Sequence, residues 1–435
     1  MSTAAVSVAG REKRHPRGLS VLFVTEMWER FSYYGMRAIL VYYMTKQLMF
    51  SQERSSHIYG LYTGFVYFTP FFGGILADRW LGQRRTVFLG GALMTVAQFM
   101  LMSQDLFFAG LVLLIIGNGC FKPNISTQVG ALYSVGDHRR DRAYSIFYLG
   151  INLGSLIGPL ICGMLGERVA WRWGFCAAGV GMFLGLILYA WGQRHLAPDN
   201  VMRTKAGEVS HESLTREEKI RIMGFVVLCI FNIFFWAIYE QQGNTTALWA
   251  DANTNRHIFG WQMPASWVQA FNPICIFLFT PLILWLWKWQ ARRGKEPASV
   301  TKMAIGCFLL GISYLVFIPA ARINAGGTLT SLWWIIGNTA LLTMGELYLS
   351  PVGLSLVTKL APARMVSMLM GVWFLSNFFG NYLCGYLGTF WEKMPKEQSF
   401  LMFSAIAMAA GFGMLIILKP LKRAIGHGHE EQVDV

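Results

Sequence analysis

The chain has 435 residues, of which 54% are hydrophobic and only 14% charged, with a net charge of +14 at pH 7. That balance excludes an ordinary soluble domain. The surplus Lys and Arg sit in short clusters beside apolar runs, where anionic lipid headgroups attract them. No recognition motif accompanies the charge, so no nucleic-acid partner is expected.

Apolar runs of about 20 residues, each enough to cross a ~30 Å hydrocarbon core, recur from end to end. Twelve spans are expected, at 18–47, 56–78, 86–104, 107–134, 142–165, 173–193, 221–250, 265–290, 300–321, 331–358, 364–390 and 398–421. The fold class is therefore an all-α polytopic membrane protein. The polar, basic residues 1–17 form a tail, and the segment after them is too long and too charged for a cleavable signal core. Arg11, Lys13, Arg14 and Arg17, then Arg79, Arg84 and Arg85, Arg139, Arg140 and Arg142, Arg292, Arg293 and Lys295, and finally Lys419, Lys422 and Arg423 fall on one side. Positive-inside bias makes that side cytoplasmic and holds both termini there.

The first span carries Glu26, Glu29, Arg30, Tyr33, Tyr34 and Arg37. At 100° per residue, Glu26, Arg30, Tyr33 and Arg37 fall within about 60° of one another. An ionised group at mid-bilayer costs roughly 2.5–3.5 kcal/mol on insertion scales, so such a stripe must face a wet cavity or opposite charges. A transport pathway needs that; an internal ion-pair knot holding helices together is the structural alternative, above all for Glu29 and Arg30.

After the second span, Gly73-Gly74 and Ala77-Asp78-Arg79-Trp80-Leu81-Gly82-Gln83-Arg84-Arg85 form a Gly- and Arg-rich loop. It resembles the loop between helices 2 and 3 of the major facilitator superfamily. The fourth span holds Phe121-Lys122-Pro123-Asn124, where Pro123 removes a backbone donor and can kink the helix beside Lys122. In the fifth, Tyr148 and Asn152 share a face at i, i+4. Residues 194–220 are the longest hydrophilic interruption, and Ser213 or Thr215 is placed to cap the next helix. This divides the chain into two six-helix bundles, 18–193 and 221–421, joined by a cytoplasmic linker and followed by a tail at 422–435. A solute site is expected between them near the midplane.

The second half supplies Glu240, Asn272, Glu346, Trp373, Ser376 and Asn377. Cations in one half and carboxylates in the other make a switch, because protonating the carboxylate breaks the pair and frees the cation for a ligand anion. Arg37 with Glu240 and Lys122 with Glu346 is the favoured pairing, with the swapped pairing left open. Arg54 and Asp251 are candidates for an outer gate. The seven cysteines lie within spans at no ligand spacing and read as small core residues, and most of the eight histidines lie in tails or loops. No metal or cofactor is expected, and no hydrolase or zinc-protease motif occurs, so the chain does not read as an enzyme.

Together Glu26-x-x-Glu29-Arg30-Phe31-x-Tyr33-Tyr34-Gly35, Phe121-Lys122-Pro123-Asn124 and Phe147-Tyr148-x-x-Ile151-Asn152-x-Gly154-Ser155 resemble the proton-dependent oligopeptide transporter family, from about residue 18 to 420. The resemblance implies a major facilitator fold and symport of di- and tripeptides with protons across the inner membrane. It implies that Glu26, Glu29 and Arg30 couple protons, with Glu240 the leading proton carrier. Arg37 and Lys122 would meet the peptide carboxylate, and Asn152, Asn272 and Glu346 its amine and backbone. Tyr34, Tyr67, Tyr148 and Trp373 would line side-chain pockets. A monomer in contact with membrane lipids is expected. Many bacterial relatives insert two helices between the halves, for which residues 194–220 leave no room. Eukaryotic relatives carry a histidine in the second span, where this chain has Gly60. The alternative is a same-fold carrier of another anionic solute, such as nitrate or an amino-acid conjugate, though a buried Glu346 has little use without an amine to bind.

Overall fold

The computed structural model describes residues 15–134, 137, 139–199, 215–360 and 365–425. Most of the expected linker and both tails, with Arg11, Lys13, Arg14, His138, His211, Ser213, His427 and His429, lie outside the described residues.

The described chain is helical apart from two pairs of two-residue strands. In order, α1 is Arg17–Tyr42, α2 Gln52–Phe68, α3 Pro70–Leu76, α4 Gln83–Met100, α5 Phe107–Ala131, α6 Arg139–Arg168 and α7 Trp171–Gly192. Then come α8 Arg216–Tyr239, α9 Thr245–Ala252, α10 Phe271–Ala291, α11 Ser299–Leu315, α12 Phe317–Ala325, α13 Leu332–Leu360, α14 Val366–Gly388 and α15 Lys396–Ile425. Thr215 starts α8 as expected: its hydroxyl accepts from the Glu218 amide and the Glu218 carboxylate accepts from the Thr215 amide. That reciprocal capping satisfies two otherwise orphaned donors. Pro70 follows the break between α2 and α3.

Among the described residues, nine helical stretches are long and apolar enough to cross a membrane, which makes this a polytopic membrane protein. The other three expected spans are helical but more polar. They are α1 with its charged stripe, α4 opening on Gln83-Arg84-Arg85, and α14 carrying Ser376, Asn377 and Asn381. All three are packed into the bundle, α1 against α6 and α7, α4 against α5 and α7, and α14 against α2 and α8.

One hydrophobic core is built from Phe31, Met36, Phe121, Phe175 and their neighbours in α1–α7. A second is built from Phe225, Trp249, Phe317, Phe400 and others in α8–α15. Lipid is as apolar as a Leu side chain, so helix contact depends on close packing rather than on water exclusion. Gly154 shows how: a Cβ there would lie 2.2 Å from the Met27 carbonyl oxygen, so the crossing of α1 and α6 requires glycine. Gly60 does the same where α2 meets α14, its Cβ falling 2.6 Å from Gly385 Cα. A histidine at that position has no space, which accounts physically for the departure noted in the sequence.

Hydrogen bonds between the two helix groups gather at the end of the bundle remote from Arg17. The Tyr42 hydroxyl donates to the Ala247 carbonyl at 2.8 Å, and Gln52 Nε2 to the Gly388 carbonyl at 2.8 Å. Glu167 accepts from the backbone amides of Ala265 and Ser266, both at 2.8 Å. Arg54 and Asp251, the candidates for an outer gate, do not pair with each other. Asp251 pairs with Lys46 at 2.5 Å and with Arg256 at 2.9 Å. Arg54 instead lies over the Phe50 ring, 4.0 Å from its centroid. Lys46 sits in the π-helical turn that ends the first span, and the extra residue of that turn aims it across the seam.

Candidate functional site

A cavity opens between the two groups, offering about 180 Å³ to water-sized molecules. α1 contributes Tyr34 and Arg37, the second span Tyr67, and α6 Tyr148 and Asn152. From the other group come Tyr239 and Glu240, Asn272 of α10 and Glu346 of α13. Eight of the residues singled out in the sequence are thus brought to one space.

Its walls carry opposite charges. Arg37 Nη1 donates to Glu240 Oε2 at 2.9 Å, and both side chains are buried, at 8% and 2% exposure. This is the favoured pairing, and it bridges the two helix groups across 203 positions of sequence. The Arg37 guanidinium also lies 5.1 Å from the Tyr34 ring centroid. Removing one partner of a buried pair costs roughly 3–5 kcal/mol, because the survivor is left uncompensated. Glu240 stands where α8 gives way to a 3-10 turn, Glu240–Gly243, before α9 resumes. Such a break in the helical ladder lets the side chain point across the seam.

Glu346 forms the other pole. Its Oε2 accepts from the Tyr239 hydroxyl at 2.6 Å and from Asn272 Nδ2 at 3.1 Å. Asn272 Nδ2 also reaches Thr343 Oγ1 at 2.9 Å. All these donors are neutral. The favoured pairing of Lys122 with Glu346 is therefore absent from this conformation: the Lys122 ammonium lies 4.3 Å from the Tyr67 ring centroid instead. The ring's quadrupole attracts the ammonium there.

Glu26, Glu29 and Arg30 do not line the cavity. Arg30 Nε lies 2.7 Å from both Glu26 Oε1 and Glu29 Oε2, and Asn118 Nδ2 donates to Glu29 Oε1 at 3.2 Å. This is a compact, fully buried knot inside the first helix group. Trp373 is also displaced from its expected pocket: it is 3% exposed and packs against Gly353, where a Cβ would lie 2.2 Å from the indole, and against Phe225. The Trp373 side chain fills core that periodicity could not tell from cavity lining.

Sequence reasoning passed over Trp236, Tyr239, Gln242 and Gln269, all of which line the cavity. The first two are uncharged aromatics inside an apolar span, and hydropathy alone does not separate them from core. Trp236 precedes Glu240 by four residues and so shares its helix face, a signal that could have found it.

A family model described as the POT family matches residues 84–209 and 201–406. The chain belongs to the POT family. The uncharacterized transporter YclF of Bacillus subtilis (strain 168) is 36% identical over 94% of this chain and 95% of its own length. A di-/tripeptide transporter of Lactococcus lactis subsp. cremoris is 33% identical over 94% of this chain and 97% of its own. The crystal structure of a peptide transporter POT in complex with sulfate superposes with a TM-score of 0.88 at 32% identity, covering 95% of this chain and 97% of that one. Membership makes this POT protein a transporter rather than an enzyme, with the major facilitator-like fold of its relatives.

Proposed function

We propose that this chain is a proton-coupled symporter that imports di- and tripeptides across the inner membrane by alternating access. The observation that carries the reading is one cavity with a cationic pole at Arg37 and an anionic pole at Glu346, joined to its gate by the Arg37–Glu240 pair. A short peptide is a zwitterion of matching polarity. The Lactococcus relative, by its name, carries di- and tripeptides. An inorganic anion would leave Glu346 facing an unmatched negative charge.

All twelve helical segments then cross the bilayer, α1, α4 and α14 among them, with residues 18–193 and 221–421 as two six-helix bundles. The linker 194–220 and the tails 1–17 and 422–435 lie on the cytoplasmic side. The polar contacts between the groups gather at the far end, so the conformation described is closed outward and open inward. The protein works as a monomer within the lipid.

Arg37 and Lys122 hold the peptide carboxylate, while Asn152, Asn272 and Glu346 take its amine and backbone. Tyr34, Tyr67 and Tyr148 surround the side chains with aromatic area that tolerates variety. Protonation of Glu240 removes the counter-charge of Arg37, which then turns to the peptide carboxylate, and loss of the pair loosens the contact between bundles. Glu26, Glu29 and Arg30 assist proton coupling from within the first bundle. Rocking of the bundles about the site releases peptide and proton inward.

The test is uptake of labelled dialanine into proteoliposomes under an imposed inward proton gradient, with and without an uncoupler. Accumulation above equilibrium that the uncoupler abolishes is the expected result. Accumulation untouched by the uncoupler would overturn the proton coupling, and absence of uptake by inserted protein would overturn the peptide.

A further inference from the structure

We propose that Tyr239 is a positioning residue that makes the anionic pole selective for a free ammonium group and ties its occupation to the gate. The inference rests on the peptide reading above.

The Tyr239 hydroxyl lies 2.6 Å from Glu346 Oε2, and Asn272 Nδ2 lies 3.1 Å from both oxygens. These three groups form one small ring of hydrogen bonds on the cavity wall. Glu346 is held in it by neutral donors alone, so its charge is oriented yet not neutralised. A hydroxyl is both donor and acceptor, and its proton rotates. In the empty state it donates to the carboxylate. When an ammonium arrives, the same oxygen accepts from it while still donating to Glu346, giving the ammonium's three donors a second acceptor beside the carboxylate. An acetylated amine has lost its charge and two of those donors, and gains nothing from the second acceptor. A phenylalanine at this position would keep the packing on Phe235 and Trp236, whose rings lie 5.9 and 5.0 Å from Tyr239. It would lose the acceptor.

The second half of the proposal follows from chain connectivity. Tyr239 closes α8, and the next residue, Glu240, opens the 3-10 turn and holds Arg37. Consecutive residues at a helix break therefore face the two poles of the cavity, one each. An ammonium that draws the Tyr239 oxygen toward itself moves the whole ring, and with it the backbone that aims Glu240. Occupation of the anionic pole is thereby felt at the ion pair that bridges the bundles, with no relay longer than one peptide bond.

The experiment compares wild type and Tyr239→Phe in proteoliposomes, measuring concentration dependence of uptake for dialanine and for N-acetyl-dialanine. Counterflow without a proton gradient is followed alongside. Loss of a hydrogen bond to a charged group is worth on the order of 1.5 kcal/mol, about tenfold. The expected result is a ratio of the two KM values, dialanine over acetylated peptide, raised about tenfold in Tyr239→Phe. The proton-gradient dependence of dialanine uptake should weaken in parallel. A merely structural tyrosine would depress both substrates equally, or maximal rate rather than KM, and that outcome overturns the proposal. So does an unchanged ratio of the two KM values. Tyr239→His, which keeps a ring nitrogen able to accept, should restore part of the preference if the variant is folded by thermal melting. If wild type takes up neither compound, the peptide reading itself falls and takes this inference with it; normal wild-type uptake with an indifferent Tyr239→Phe removes the inference alone.

Discussion

Two buried ion-pair systems share α1 and behave in opposite ways. In the knot, Glu26, Glu29, Arg30 and Asn118 all belong to the first helix group, three of them within five residues of one another. In the cavity, Arg37 meets Glu240 from the other group, and Glu346 waits without a cation. A pair inside one bundle moves with it and stays intact through any rigid rocking. A pair between bundles is strained by every such movement. On the proposed rocking motion, the same chemistry holds a bundle together in one place and would gate it two helical turns away. Position relative to the moving boundary, rather than burial or charge, separates them.

The comparison is easiest to break through stability. Arg30→Met strands two buried carboxylates within one bundle, and a loss of roughly 3–5 kcal/mol is expected. Thermal melting in detergent should show it; an unchanged melting temperature would mean that the knot contributes nothing to holding the bundle. Glu240→Gln removes a charge at the boundary instead. Its expected signature is uptake driven by the gradient reduced by about two orders of magnitude, equivalent to about 2.8 kcal/mol, while gradient-free counterflow persists. Continued accumulation of peptide against a gradient would sink Glu240 as proton carrier.

Smaller effects sharpen the picture at the seam. Gly60→Ala places a Cβ 2.6 Å from Gly385 Cα, so α2 and α14 must separate. Overpacking of this kind costs about 1–3 kcal/mol. If the conformation described is the outward-closed state proposed above, the penalty falls on it, and labelling of an introduced outer-end cysteine should rise. Last comes Lys46→Ala. Lys46 is 45% exposed on its side chain against Asp251, and exposed pairs contribute about 0–1 kcal/mol. Little change in transport is expected, and a large one would promote this contact to a principal gate.

Much of the fold was legible because its signals are local. Apolar runs and the cap at Thr215 each depend on neighbours within a few residues. The charged stripe of α1 was legible for the same reason, being a matter of helical period. Where it pointed was not. Its lower part, Glu26 to Arg30, closes on itself, and of its charged groups only Arg37 reaches the cavity, beside Tyr34. Trp373 and Tyr239 show the same limit from both sides. Both are aromatic residues of the second half, yet the first is core and the second lines the site.

By itself the sequence determined that the chain is a bundle of membrane helices, that ionisable groups lie within it, and which residues carry the family motifs. Hydropathy and helical period suffice for that, since both are properties of short stretches. The tertiary structure alone decided which carboxylate meets which cation. Arg37 and Glu240 are 203 residues apart, and their contact follows from the tilt and rotation of two helices fixed by glycine-mediated packing. Lys122 resting on Tyr67, and Tyr239 bonded to Glu346, were decided in the same way. A side chain's partner across a seam depends on where whole helices settle, and no local pattern encodes it.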